Sequence, residues 1–189
     1  MPKDQPAEFA VRNSDVAFEG RIWDVKRDVV DFKGHTITRE YVAHPGAVAV
    51  VAINERSEVL LIMQYRHPVG EFLWEIPAGL LDVSGESRLD AAQRELFEET
   101  GWVATQWEEL TSFYTTPGGS SEQIDIYLAQ DLSFRGHNLA LEGEEAELEV
   151  AWVPIADAIT SVMKSEMKSP SAVVGLLALA IWMRAGLAE

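Results

Sequence analysis

The chain has 189 residues, 31 Asp and Glu against 15 Lys and Arg, a formal net charge of −16 at pH 7, and no cysteine. That length suits one domain with a small extension, and the acidic balance excludes nucleic acid as a partner, because phosphate backbones are bound through Lys and Arg. The missing cysteine excludes a disulfide framework and a thiolate zinc site, and fits a reducing, cytoplasmic setting.

Taken in chain order, residues 1–15 (MPKDQPAEFAVRNSD) lack the apolar core of a signal peptide and read as frayed. Residues 17–42 alternate apolar and polar positions around Lys33-Gly34, the pattern of antiparallel strands. Residues 48–53 and 59–65 are β-rich runs flanking Asn54-Glu55-Arg56-Ser57, read as a second hairpin. A short strand over 72–76 ends at Pro77-Ala78-Gly79, and a helix follows. Strands are expected over 107–114 and 123–129 around the loop 115–122, another over 149–154, and helices over 155–164 and 171–187. Ser169 as N-cap and Pro170 at the first helical position mark the start of the last helix. Its most apolar part, 172–183, is shorter than the roughly 18–20 residues that span a bilayer, so no membrane partner is expected. The pattern is a mixed sheet with helices against it, of α/β (α+β) class.

The run GLLDVSGESRLDAAQRELFEETGW, starting at Gly79, holds the chemistry. On a helix Glu95, Glu98 and Glu99 fall within an arc of roughly 100°. Residues three and four apart are surface neighbours, and like charges at that spacing repel. Glutamate-rich faces are usually just solvated. Here Leu89, Ala92 and Leu96 form an apolar stripe beside the carboxylates, and Gly101 supplies a left-handed helix stop. A hard cation such as Mg²⁺ turns the repulsion into attraction, since it takes carboxylate and phosphate oxygens together. The run therefore predicts a metal site acting on a phosphate-containing substrate.

The same residues resemble the Nudix box, G-x5-E-x7-R-E-U-x-E-E-x-G-U with U bulky and apolar. From Glu86 through Arg94-Glu95-Leu96, Glu98-Glu99, Gly101 and Trp102 the match is complete. Six residues instead of five separate Gly79 from Glu86, a one-residue insertion in the loop near Gly85. Gln64-Tyr65-Arg66, Trp74-Glu75-Ile76-Pro77-Ala78-Gly79 and the loop Pro117-Gly118-Gly119-Ser120-Ser121-Glu122 are similar to segments of the ADP-ribose pyrophosphatase branch of Nudix hydrolases.

That resemblance implies an α/β/α sandwich with a mixed sheet over residues 43–189 and a small antiparallel β region over 1–42, which serves dimerisation and substrate contact. It implies hydrolysis of ADP-ribose to AMP and ribose 5-phosphate with Mg²⁺ or Mn²⁺, by a homodimer. Glu95, Glu98, Glu99 and the carbonyl of Ala78 are the expected metal ligands. Arg94 is expected to orient a glutamate, and Glu86 to stabilise the loop or bind Arg94. The acidic segment 141–147 is expected to supply a general base, Glu144 or Glu145. Arg66 suits a pyrophosphate fork, since a planar guanidinium matches such groups. Pro117, Gly118 and Glu122, together with Trp23 and Arg39, are candidates for substrate recognition. The four histidines share no metal spacing and read as structural or exposed. Alternative substrates are another nucleoside-diphosphate sugar, a dinucleotide or an oxidised nucleoside diphosphate. A non-catalytic nucleotide-sugar sensor is the competing class, and the complete glutamate set argues against it.

Overall fold

The computed structural model describes residues 1–136 and 148–186, which form two compact units. The first comprises Met1–Pro45 and Tyr114–Glu122. Its sheet has the order β1 (Val11–Phe18), β2 (Asp24–Phe32), β3 (His35–Ala43), all antiparallel. Phe32 faces His35 across a two-residue turn whose Lys33 (φ 49°) and Gly34 (φ 85°) are both left-handed, the geometry that matches strand twist in a hairpin. β1 corrects the expectation of a frayed N-terminus: Val11–Asp15 pair with β2, and Arg12 bonds Asp31 at 2.6 Å. Every residue of β1 is exposed, so its sequence carries no burial period.

The second unit comprises Gly46–Phe113 and the described residues from Gln123 onward. One sheet runs β7 (Ala78–Leu80), β4 (Ala47–Ala52), β9 (Gln123–Phe134), β8 (Trp102–Tyr114). The other runs β10 (Glu149–Pro154), β5 (Glu58–Arg66), β6 (Glu71–Glu75). β4 is parallel to β9 and antiparallel to β7.

The hairpin expected between 48–53 and 59–65 does not form. β4 and β5 lie in different sheets, joined by a single bridge between Ile53 and Val59. β4 is apolar at every position and fully buried, so both of its faces need cover. Its Val48, Val50 and Ala52 face one core with Ala91, Ala92 and Leu96 of α1 (Arg88–Thr100). Its Ala49 and Val51 face a second core with α2 (Ile155–Met163) and α3 (Pro170–Arg184). Helices thus cover both sides of the mixed sheet, the α/β/α arrangement expected from the sequence. Ser169 stands at the N-cap of α3 with Pro170 following, yet its hydroxyl meets Ser171 Oγ at 3.2 Å instead of capping a backbone amide. Among the described residues no helix is long and apolar enough to cross a membrane.

Candidate active site

The acidic helix α1 begins where Ser87 Oγ accepts the Asp90 N–H at 3.1 Å. It ends where Gly101, at φ 73°, donates its N–H to the Phe97 carbonyl at 2.8 Å. Helical phase sets how far each carboxylate enters the protein. Glu99 lies next to the apolar stripe and is buried. Glu95 is one step further round, with 13% of its side chain exposed, and Glu98 lies outermost at 40%.

Arg94 ties these carboxylates together. Its Nε and Nη2 donate to the two oxygens of Glu86 at 3.0 Å each, and its Nη1 donates to Glu95 at 2.6 Å and to Glu98 at 3.1 Å. The fork on Glu86 holds that carboxyl below its ordinary range, and the same bonds hold the guanidinium charged. The extra residue before Glu86 is absorbed in a turn: Glu86 donates its N–H to the Val83 carbonyl at 3.2 Å, and Gly85 is left-handed at φ 83°. Glu86 reaches Arg94 despite the insertion.

The loop facing α1 closes on it from the other side. Glu99 Oε2 accepts the Ala78 N–H at 2.9 Å. A Cβ on Gly79 would overlap the Glu95 carboxylate, so the backbone there approaches as closely as only glycine permits. Among the described residues no group of three or more His, Asp or Glu side chains is already gathered to hold a metal ion. The donor chemistry still suits a hard divalent cation. Three carboxylates, Glu86, Glu95 and Glu98, share one guanidinium, a fourth, Glu99, bonds the Ala78 N–H, and the excess negative charge sits beside the backbone of the Ala78-Gly79 strand.

Arg66 and Glu75 form a second fixed pair. Arg66 Nε and Nη2 donate to the two oxygens of buried Glu75 at 2.8 and 2.9 Å. The expected pyrophosphate fork therefore has its bidentate edge on a carboxylate of its own chain. Glu75 was not singled out in the sequence; a charge between Trp74 and Ile76 at the end of an apolar strand was the available signal. Arg88, at the first turn of α1, pairs with buried Asp125 of β9.

The remaining candidates lie in the first unit. Trp23 and Arg39 are exposed, and Arg39 Nη1 donates to the Thr38 carbonyl at 2.9 Å. Pro117 and Gly118 are exposed in the loop after β8, while Glu122 is half-buried and accepts the Thr115 hydroxyl at 2.5 Å. His44, read only as structural or exposed, is buried against Trp23 with ring centroids 4.8 Å apart. Glu144 and Glu145 lie outside the described residues.

Known proteins resemble this chain in sequence and in fold. Residues 43–173 match the NUDIX domain. The chain is 42% identical over 173 residues to the ADP-ribose pyrophosphatase of Mycobacterium tuberculosis, covering 91% of this chain and 83% of that one. It is 37% identical over 151 residues to the ADP-ribose pyrophosphatase of Bacillus subtilis, covering 79% and 80%. A crystal structure of an ADP compounds hydrolase superposes with a TM-score of 0.76 at 24% identity, covering 97% of this chain and 98% of the other, a likeness of fold. The domain match over residues 43–173 and these relatives make this chain a member of the Nudix hydrolase family.

Proposed function

We propose that this protein hydrolyses the pyrophosphate bond of ADP-ribose, releasing AMP and ribose 5-phosphate, in a reaction dependent on Mg²⁺ or Mn²⁺. The observation that carries the reading is the carboxylate cluster on α1, linked internally by Arg94 and pressed against the Ala78-Gly79 backbone. The naming of the M. tuberculosis and B. subtilis relatives supports the choice of substrate. Glu95, Glu98, Glu99 and the Ala78 carbonyl would hold the cation. Such an ion, when bound, neutralises charge developing on a leaving phosphate and lowers the pKa of a water.

The chain's own groups have separate tasks in this scheme. Arg94 keeps Glu95 and Glu98 aimed, and Glu86 keeps Arg94 extended along the helix. Arg66, held by Glu75, presents a fixed positive charge to the diphosphate. Glu144 or Glu145 takes the proton from the attacking water. Trp23, Arg39 and the loop bearing Pro117, Gly118 and Glu122 recognise the nucleoside. A cytoplasmic homodimer is the proposed working form. The exposed Val11, Val16, Phe18 and Ile22 support it, because a second copy would cover them.

The direct test is a panel of ADP-ribose, other nucleoside-diphosphate sugars, dinucleotides and oxidised nucleoside diphosphates, each with Mg²⁺ or Mn²⁺, reading released nucleoside monophosphate. Preferred turnover of ADP-ribose to AMP supports the assignment. A clear preference for another diphosphate, or turnover unaffected by chelator, refutes it.

A further inference from the structure

The loop over 115–122 is fastened to the end of β3 by a run of hydrogen bonds. Val42 donates its N–H to the Gly119 carbonyl at 2.9 Å, and Ser121 donates its N–H to the Val42 carbonyl at 3.1 Å. The His44 N–H then donates to Ser121 Oγ at 2.9 Å. Glu122 closes the arrangement: one oxygen accepts the Thr115 hydroxyl at 2.5 Å and the other lies 3.3 Å from His44 Nε2. His44 is thereby clamped at its backbone and at its ring, and only 5% of its side chain is exposed.

That immobilised ring carries Trp23. The two centroids are 4.8 Å apart with planes inclined by 31°, a tilted ring contact, while Trp23 itself remains 42% exposed. A large aromatic residue at a chain turn would ordinarily sample several rotamers, and ordering it on binding costs affinity. Here one face is already fixed by the protein.

We propose that His44 is a positioning residue for nucleobase recognition, its ring held by Glu122 so that it presents the Trp23 indole to an aromatic base. The inference rests on the ADP-ribose reading given above. An aromatic stack of this kind is worth about two- to tenfold in affinity.

The test compares W23A, H44Q and the double variant, with ADP-ribose KM and kcat measured separately. H44Q removes the ring while keeping a donor toward Glu122. The expected result is a KM raised about two- to tenfold in each single variant, with kcat within about twofold. The double variant should be no worse than W23A, because His44 acts only through Trp23. Additive effects, or a parental KM in H44Q, overturn the role of His44. A second measurement needs no His44 variant. The Trp23 share of tryptophan emission, taken as the difference between parent and W23F, should change with ADP and not with ribose 5-phosphate. No response to ADP overturns the proposal. A parent that releases no AMP from ADP-ribose in the substrate panel instead refutes the underlying reading, whichever way the emission behaves.

Discussion

Gly79 and Glu95 occupy the same space: the carboxylate of one fills the position where a side chain on the other would begin. Gly79 does not adopt a left-handed φ, so the demand for glycine is purely one of approach distance. Gly79→Ala is expected to displace Glu95 and lower turnover about 10- to 100-fold, the range seen when groups orienting metal ligands are lost. The clash falls on the far end of a flexible side chain that can swing away, so the cost to stability is expected to stay below about 1 kcal/mol. Steady-state kinetics beside a thermal melt check both numbers, and parental turnover in this variant would remove Glu95 from the proposed ligand set.

Glu99→Gln keeps an oxygen that can accept the Ala78 N–H and discards the charge. The expected outcome is a folded protein with at least about 100-fold less activity, since even outer groups around metal ligands typically cost 10- to 100-fold. Relief of repulsion among the helix carboxylates should leave the melting temperature equal or slightly higher. Hydrolysis of ADP-ribose at the parental rate would show that this side chain is not a ligand.

Tyr41, in the first unit, offers a pH prediction. Burial, and then its hydroxyl's bond to Asp28 Oδ2 at 3.2 Å, raise its pKa above the ordinary value of 10.0. A raised folded-state pKa means that the contribution of Tyr41 to stability is fully present below pH 10.0 and is lost as pH rises through the folded value. Asp28→Asn should bring phenolate formation at Tyr41 to lower pH and soften the alkaline loss of stability. Absorbance titration of the parent, Asp28→Asn and Tyr41→Phe resolves the Tyr41 step; an unmoved step in Asp28→Asn would contradict the assignment.

The dimer proposal makes a mass prediction. Val16 and Phe18 are exposed apolar residues on β1. Replacing both with serine should shift a dimeric parent toward monomer in light scattering, with little change in far-UV circular dichroism. A parent that is already monomeric at the concentrations used for assay would end the proposal.

The sequence made some parts of this molecule readable and left others dark for physical reasons. α1 was legible because its period, its glycine stop and its charge crowding all point the same way, and even the burial order of Glu99, Glu95 and Glu98 follows from helical phase. β4 and β5 were legible as strands but not as partners. An apolar run buried on both faces carries no period, and the parallel pairing of β4 with β9 joins positions far apart in the chain. The Arg66–Glu75 pair was hidden likewise, since it depends on β5 lying against β6. The Glu86 contact with Arg94 shows the opposite case: a loop insertion disturbs spacing in the chain while the side chain still finds its partner.

Arg94 has one more consequence, for how the protein is loaded. Small zinc domains need their ion before they can fold, because nothing else answers the charge of their ligands. In this chain a built-in guanidinium answers part of that charge, so the polypeptide is expected to complete its fold without waiting for an ion. Occupancy under the proposed function would then be a question of mass action, and activity is expected to be withdrawn by a chelator and restored with fresh salt on the same molecules.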